Sequence, residues 1–462
     1  KRYQLWRDKI AEKLKSGSVL VCFPQLTYLN YARKYLEKDF PGKTKVIYSQ
    51  KNEKELFSTW EESREKSLIL GTRVSIFYYP QDLNMVVVEE ENSQYYSQEE
   101  KPFHNLLDIA WLLCRQKRAD LILSGDYPSL ATYKMIKNSN VELIDKAGPN
   151  RTIEIINISE SRKTKIIGPI LSELLRKNIQ ENERSVVLWN RKGFARVISC
   201  LKCGHVLRCE HCSGFLQSSL GGQDGICPYC QRRTPLPTEC QHCKQGYFKS
   251  GGFGIERVES LLKRIFPEAK IDNWQKHTPD TQITLSTSKI LSYLYDGEIF
   301  DCGFVLDIDS FLARTDYDST FAAFLYLRKL IFLCKNNFYV FTRSKNYYLF
   351  QYLNKPWQDF YDAELALRQQ LHLPPFGLIA KVVIRGKNKN ALLKRTQGLY
   401  NRLEKRFNEV YGPLQEQPFK LRDKFRYFLV VKTKKNIQSR KEIKGEVSSF
   451  RTSSLKIAVS LR

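Results

Sequence analysis

The chain has 462 residues, a net charge of +26 and an apolar fraction of 42%, which indicates several folded domains and excludes a disordered chain. Uncharged apolar runs of about 18 residues are absent, so the sequence predicts no membrane span, and the charged start Lys1–Lys9 does not resemble a signal peptide. Twelve cysteines without such a signal predict a reducing, cytoplasmic location, where clustered cysteines bind metal more often than they form disulfides.

The first 145 residues alternate short apolar runs with helical patterns. Continuous apolar strands that are separated by helices are typical of a parallel sheet covered on both faces. We therefore predict an α/β lobe over residues 1–148. Its helices are predicted at Leu5–Leu14 and Tyr28–Leu36, and its strands at Ser18–Phe23, Lys45–Tyr48, Ser67–Leu70, Met85–Val88 and Leu121–Leu123.

A second α/β lobe is predicted after a polar linker with an extended strand, Pro149–Thr164. A cysteine-rich segment interrupts this lobe. We assign 149–198 to the linker and the start of the lobe, 199–246 to the insert and 247–354 to the remainder. The elements predicted for the lobe are helices at Ile170–Gln180 and Glu256–Phe266, and strands at Ser185–Trp189, Gln282–Leu285, Cys302–Leu306 and Phe338–Thr342.

The last segment, 355–462, predicts a small α+β domain. Its helices are predicted at Pro356–Leu371 and Ala391–Asn408, and its strands at Ala380–Ile384 and Tyr427–Val431. Residues 381–462 carry 22 Lys and Arg against 6 Asp and Glu, which is +16 of the total charge. This local excess favours a polyanionic partner such as nucleic acid over a merely solvated basic surface.

Eight cysteines form four CxxC pairs: Cys200, Cys203, Cys209, Cys212, Cys227, Cys230, Cys240 and Cys243. Two such pairs supply the tetrahedral set of four sulfurs that Zn²⁺ favours, so four pairs predict two structural zinc ions. Redox CxxC sites and an iron–sulfur cluster are the alternatives. Three groupings of intact pairs are possible. We favour the nested one, in which the first and fourth pairs hold one ion and the second and third pairs hold the other.

Short motifs distributed along the whole chain carry a family resemblance. In chain order they are Phe23–Leu26, Gly71–Arg73, Glu89–Glu91, Trp189–Ala195, Gly252–Val258, Leu306–Asp309, Glu364–Pro375, Tyr411–Pro413 and Leu421–Val431. Together with the cysteine array, they resemble the primosomal protein N′ family, the PriA replication-restart helicases.

The resemblance implies two RecA-like parallel-sheet lobes of the helicase superfamily 2 type, a zinc insert in the second lobe and a C-terminal domain. It also implies ATP-driven DNA unwinding and binding to forked or single-stranded DNA. The partners that it implies are primosome proteins, helicase-loading proteins and the single-stranded-DNA-binding protein.

The residues expected to bind ATP and Mg²⁺ depart from the family pattern in the first lobe. A GxxxxGK[ST] loop is absent; by spacing, Lys1 stands at the position of its lysine, but Arg2 replaces the hydroxyl residue. The acidic DEEH box of the family reads Glu89–Asn92, and its SAT motif reads Gly125–Tyr127. In the acidic box a carboxylate remains at each acidic position, but Asp has become Glu and His has become Asn.

The second lobe departs in the same way. The segment Tyr326–Ile331 lacks the glycine and arginine pattern of the last helicase motif, although Arg328 is a candidate remnant that we interpret as a helix-surface charge. The Gly-Thr-Gln motif is reduced to Leu285–Lys289. Five degraded motifs predict that ATP turnover is lost or weak, which favours a non-catalytic chain.

We therefore expect a PriA-like replication-restart protein that binds branched or single-stranded DNA. One alternative is an active 3′–5′ helicase whose phosphate loop lies upstream of residue 1. Another is a zinc-ribbon scaffold that binds protein or RNA. The DNA contacts are predicted at Arg422, Lys424 and Arg426, where strand alternation puts even-numbered positions on one face, with the Arg191–Lys192 turn as a second candidate.

Overall fold

The computed structural model describes residues 2–461 apart from 51, 64–65, 99–103, 145–151, 159–166, 190–196, 201, 204, 206, 211–215, 219–223, 228–229, 231, 246–247, 252–254, 292–299, 307, 313–315, 422 and 451–455. The chain divides into two compact units, Lys1–Asp145 and Lys146–Arg462. Within the described part, each helix is too short or too polar to cross a membrane.

Unit 1 is built on a five-stranded parallel sheet with the strand order β2-β3-β1-β4-β5. The strands are β1 (Ser18–Cys22), β2 (Thr44–Ile47), β3 (Leu68–Gly71), β4 (Leu83–Glu89) and β5 (Asp120–Ser124). Its helices are α1 (Arg2–Lys13), α2 (Leu26–Asp39), α3 (Glu53–Glu61), α4 (Leu106–Lys117) and α5 (Leu130–Lys137). Within β1, Leu20 and Cys22 enter one apolar core while Val19 and Val21 enter another, so both faces of the sheet are covered.

Unit 2 begins with a six-stranded parallel sheet, in the order β13-β14-β7-β15-β16-β6. Its strands are β6 (Ile153–Asn157), β7 (Ser185–Leu188), β13 (Ile271–Asn273), β14 (Ile283–Ser286), β15 (Cys302–Val305) and β16 (Phe338–Thr342). Its helices are α6 (Pro169–Gln180), α7 (Ile255–Ile265), α8 (Asp309–Leu312) and α9 (Ser319–Leu330). Two parallel α/β sheets confirm the fold class that the alternating pattern predicts. Short 3₁₀ turns occur at Arg73–Phe77, Gln94–Tyr96, Trp274–Lys276, Ile331–Leu333 and Tyr348–Tyr352.

Strand β6 lies in the polar segment Pro149–Thr164, for which the sequence predicts a linker with an extended strand. It is an edge strand of the second sheet and pairs in parallel with β16. The Ile153 amide donates to the Asn354 side chain at 2.8 Å, and the Asn354 amide group donates back to the Ile153 carbonyl at 2.9 Å. Only Ile153 and Ile156 of this strand are buried, so its other positions can be polar without loss of core packing.

The cysteine-rich insert forms a small antiparallel sheet of its own, in the order β11-β10-β9-β8-β12. Its strands are β8 (Val197–Cys200), β9 (Gln217–Ser218), β10 (Asp224–Ile226), β11 (Arg233–Pro235) and β12 (Phe248–Gly251). Strand β8 enters the insert and β12 leaves it, and the two pair from Val197 opposite Gly251 to Cys200 opposite Phe248. The insert is therefore a loop of the second lobe that closes on itself.

Helix α10 (Trp357–Gln370) follows the second lobe and holds a buried ion pair. The Arg368 Nε donates to the Glu364 carboxylate at 2.8 Å, and both side chains are almost fully buried. The two Arg368 terminal nitrogens contact the Asp318 carboxylate, at 2.6 Å, and the Pro374 carbonyl, at 3.1 Å. This guanidinium thus joins α10 to the start of α9 and to the following turn.

The C-terminal domain is a four-stranded antiparallel sheet, in the order β18-β19-β17-β20. Its elements are β17 (Gly377–Gly386), α11 (Lys389–Glu404), β18 (Glu409–Leu421), β19 (Lys424–Lys434), α12 (Ile437–Ser449) and β20 (Lys456–Leu461). Alternate residues of β17 and β19, including Val382 and Leu429, form one core with the buried faces of both helices. The other face of the sheet has no helix packed on it among the described elements. This architecture confirms the predicted α+β domain.

We predict that Arg368→Ala lowers the free energy of unfolding by about 3–5 kcal/mol, because the buried Glu364 carboxylate would lose its cation and keep only the hydrogen bond from the Tyr348 hydroxyl. Lys263→Ala is the matched control: it removes an ion pair of the same i,i+4 spacing, to Glu259, that is exposed. Its expected cost is about 0–1 kcal/mol. Urea unfolding of both variants measures the difference, and equal costs would show that the buried pair does not stabilise the fold in this way.

Candidate metal centre and nucleic-acid surface

Four cysteines from the two ends of the insert form one cluster. The Sγ atoms of Cys200, Cys203, Cys240 and Cys243 all lie within 4.8 Å of one another. Cys200 Sγ is 3.5 Å from Cys243 Sγ, and Cys203 Sγ is 3.7 Å from Cys240 Sγ. These are the first and fourth CxxC pairs, so the described cluster has the nested arrangement, and its donor set is one that could hold a metal ion.

The backbone around this cluster stabilises thiolate. A hydrogen bond from the Cys203 amide is the main cause that lowers the pKa of the Cys200 thiol to about 6. The His205 amide acts in the same direction on Cys203, but burial and the neighbouring sulfurs raise the pKa of that thiol to about 12. Each CxxC pair is also closed by a tight turn: the Cys200 amide donates to the His205 carbonyl at 2.8 Å, and the Cys240 amide donates to the Gln245 carbonyl at 2.7 Å. Such turns direct two sulfurs to the same point, as tetrahedral zinc requires.

A second cluster lies between the inner pairs. The Sγ atoms of Cys209, Cys227 and Cys230 lie within 4.8 Å of one another, and Cys209 is 3.6 Å from Cys230. The fourth predicted ligand, Cys212, lies outside the described residues. The three described sulfurs come from the second and third CxxC pairs, which the nested grouping places together.

The insert has little apolar core with which to fold. Its described buried cluster consists of Ile198, Leu207, Leu216 and two of the cysteines, Cys209 and Cys227. Metal coordination can supply folding free energy that this small described core does not. The sulfur clusters are therefore the structural centre of the insert.

Two histidines lie beside the outer cluster without joining it. The rings of His205 and His242 stack at a centroid distance of 5.8 Å and an interplanar angle of 8°. His205 is half-buried and His242 is exposed. The third nearby histidine, His211, lies outside the described residues.

The acidic segment that follows β4 is buried. Glu89, Glu90 and Glu91 are 1%, 5% and 2% exposed. The Glu91 carboxylate accepts a hydrogen bond from the backbone amide of Ser129, which precedes α5. Burial raises the pKa of Glu91. The other carboxylate oxygen of Glu91 is buried and has no hydrogen-bond partner among the described residues.

Asn92, the residue after this acidic segment, makes a hydrogen bond within the same lobe. The side-chain amide of Asn92 donates to the Tyr127 carbonyl at 2.8 Å. It therefore connects the two degraded motifs of the first lobe by a neutral hydrogen bond. An amide in this position cannot gain or lose a proton near neutral pH, as a histidine does.

The remaining degraded motifs have structural contacts of their own. Arg328 Nη1 donates to the Leu353 carbonyl at 2.9 Å, and the side chain is half-buried on α9, so it is not simply a surface charge. The Thr287 hydroxyl accepts from the Lys289 amide at 3.3 Å. Lys1 and the side chain of Arg2 lie outside the described part.

The predicted DNA contacts are only partly described. Lys424 and Arg426 lie on the sheet face that has no helix, whereas Arg191, Lys192 and Arg422 fall outside the described residues. Arg426 is half-buried, donates to the Pro418 carbonyl at 3.4 Å and lies 4.0 Å from the Glu416 carboxylate.

The aromatic side chains of the same domain divide between the two faces of the sheet. Tyr427 and Phe419 are buried in the core, which leaves them unable to stack on bases. Phe428 lies on the other face, as the alternation of even-numbered positions predicts, beneath Lys381, whose Nζ is 4.5 Å from the ring centroid.

The strand register reveals a basic residue that the sequence analysis missed. Arg385 on β17 lies directly opposite Arg426 on β19 and is exposed. The strand prediction stops at Ile384, one residue short of Arg385, and no pattern in the sequence says which residues face each other across strands.

The C-terminal part of the chain matches a known family. Residues 369–461 match the model of the primosomal protein N C-terminal domain. The matched segment covers the C-terminal sheet with its helices and the end of α10.

Relatives with curated names extend the similarity to most of the chain. The chain is 25% identical to the replication restart protein PriA of Thermotoga maritima, over 91% of the chain and 60% of that protein. It is 23% identical to the proteins of the same name from Borreliella burgdorferi, over 88% and 65%, and Bacillus subtilis, over 93% and 58%. The chain therefore spans about three fifths of the length of these relatives.

Among solved structures, the chain is similar to the helicase MrfA bound to DNA and AMPPNP, with a TM-score of 0.43 and 8% identity over 77% of this chain and 45% of that one. It is also similar to the Escherichia coli DExH-box NTPase HrpB, with a TM-score of 0.40 and 10% identity over 72% and 36%.

We predict that elemental analysis of the purified chain finds two zinc ions. Cys240→Ser and Cys227→Ser should each leave one ion, because each removes a ligand from a different cluster. Cys114→Ser is the control, since Cys114 is buried on α4 away from both clusters and should keep two ions. One zinc ion or none in the unmodified chain would contradict the prediction, as would loss of both ions in either variant.

Proposed function

We propose that the chain is a divergent relative of the PriA replication-restart family, a DNA-binding protein of that kind with little or no motor activity. The observation that carries this proposal is similarity to PriA proteins over about nine tenths of the chain, which includes the cysteine-rich insert and the basic C-terminal domain. Forked or single-stranded DNA would be its ligand, and primosome, helicase-loading and single-stranded-DNA-binding proteins would be its partners.

The metal centre would serve this function by giving the insert a fixed shape. With four sulfurs in each site, zinc would have no open position for a substrate, so its role would be structural. We assign one ion to Cys200, Cys203, Cys240 and Cys243, and the other to Cys209, Cys212, Cys227 and Cys230.

The loss of motor activity is supported by the groups that replace the catalytic ones. Phosphoryl transfer depends on carboxylate-held Mg²⁺ and on cations at the transferring phosphate. Here the Glu91 carboxylate is buried against Ser129, and Arg328 is bound to a backbone carbonyl. Neither group is disposed to act on a nucleotide.

We predict negligible DNA-stimulated ATP hydrolysis by this chain. The expected turnover is far below about 1 per second, the low end for ordinary enzymes. Steady-state phosphate release with and without forked DNA measures it. A turnover of about 1 per second or more that Glu90→Gln abolishes would show that the motor is intact.

We predict that DNA binding is carried in part by Arg422, Lys424 and Arg426. Replacing all three with Ala should weaken binding to forked DNA and reduce the slope of log affinity against log salt by roughly one unit per lost phosphate contact. The charge-preserving variant Arg422→Lys, Lys424→Arg, Arg426→Lys is the control and should retain most of the slope. Unchanged affinity and slope in the Ala variant would exclude this patch and direct attention to Arg191 and Lys192.

A further inference from the structure

Helix α4 buries one face in unit 1 and exposes the other. The buried residues, which enter the apolar core, are Leu106, Ala110, Leu113 and Cys114. The exposed residues of the opposite face follow the spacing i, i+3, i+4, i+7 and form a stripe that we call the α4 stripe: Asp108, Trp111, Leu112 and Arg115. The solvent face of a surface helix is ordinarily polar, but the two central positions of this one are apolar.

The two central side chains of the α4 stripe are large and open to solvent. Trp111 is 42% exposed and Leu112 is 65% exposed. A single exposed apolar residue is common on protein surfaces and needs no explanation. An adjacent tryptophan and leucine at the centre of a solvent face are different, because exposed apolar surface rimmed by polar groups marks interaction sites and tryptophan often dominates binding.

Charges of opposite sign lie at the two ends of the same stripe. Asp108 is in the first turn of α4 and Arg115 is in the last turn, roughly 10 Å further along the helix axis. The dipole of α4 favours this order of charges, since the helix is positive at its N-terminus and negative at its C-terminus. The polar ends therefore give the stripe a direction.

The order of these residues is self-complementary when two α4 helices pair in antiparallel fashion. Asp108 precedes Trp111 by three positions and Arg115 follows Leu112 by three, so a two-fold axis between the apolar residues relates the two ends. Asp108 of each copy then faces Arg115 of the other copy. The apolar side chains meet at the axis. An interface with two-fold symmetry requires this reciprocity, because both copies use the same surface.

A parallel pairing of the same helices would be unfavourable. It would place Asp108 opposite Asp108 of the second copy and Arg115 opposite Arg115 of the second copy, and like charges that face each other across an interface repel. The charges thus select the antiparallel arrangement. An unrelated partner protein gives no reason for a stripe whose two ends are equally distant from its apolar centre.

We propose that the α4 stripe is a self-association surface and that its partner is a second copy of this chain. Four side chains are far fewer than the roughly 20–30 residues that each partner contributes to a standard interface. Two chains with a net charge of +26 also repel each other. The dimer is therefore weak and reversible, with a dissociation constant in the micromolar range.

The first test is sedimentation velocity of the full chain over a range of micromolar concentrations at physiological ionic strength. The unmodified chain is compared with the double variant Trp111→Gln, Leu112→Gln. The matched control is Leu5→Gln, Phe57→Gln, which removes an exposed leucine and an exposed aromatic ring from two other helices of unit 1.

The unmodified chain should show a reversible equilibrium between monomer and dimer. The stripe variant should weaken dimerisation by about tenfold or more, because each substitution acts twice across the axis. The control should change it by no more than about twofold. A chain that is monomeric throughout, a stripe variant that dimerises like the unmodified chain, or an equal loss in the control would each overturn the inference.

Charge reversal tests the antiparallel arrangement itself. Asp108→Arg and Arg115→Asp each place like charges opposite one another at both ends, so each variant alone should dimerise about threefold to tenfold more weakly than the unmodified chain. Mixing the two variants restores opposite charges at both contacts. Energy transfer between differently labelled variants should therefore show a mixed dimer that is tighter than either variant alone. No preference for the mixed dimer would contradict pairing through α4.

Discussion

Four thiolates within 4.8 Å of one another repel strongly unless a cation lies between them, and the outer cysteine cluster has this spacing. The cluster joins the strand that enters the insert to a CxxC turn near its exit, where β8 and β12 already pair. Since the insert buries few apolar side chains, coordination of a cation is the interaction that can hold these two ends and the loops between them. The position of the insert in the second lobe then follows from the pairing of β8 with β12.

Two other groups of like charges lie in different surroundings. In the acidic segment after β4, burial raises the pKa of Glu91, and a backbone amide donates a hydrogen bond to its carboxylate. In the C-terminal sheet, Arg385 and Arg426 face each other across β17 and β19, and Glu416 lies 4.0 Å from Arg426.

Much of this organisation could be predicted from the sequence because it depends on local patterns. Apolar runs identified the parallel strands, and the spacing of the CxxC pairs suggested the nested grouping that the described sulfurs adopt. The extended strand predicted within the polar linker is β6, but its composition did not show that it joins the second sheet, because only two of its residues are buried. The row formed by Arg385 and Arg426 and the buried contacts of Arg368 depend on tertiary register, which no local pattern encodes.

Taken together, these features lead us to propose a protein whose cysteine-rich insert is held by metal and whose basic surface binds DNA without help from a nucleotide. The most direct measurement is the affinity of the full chain for forked DNA without nucleotide, with ATP and with a non-hydrolysable ATP analogue. A DNA-binding protein that has lost its motor should give the same affinity in all three conditions. An affinity that changes with the bound nucleotide would show that the first lobe still senses ATP, and would contradict this description of the molecule.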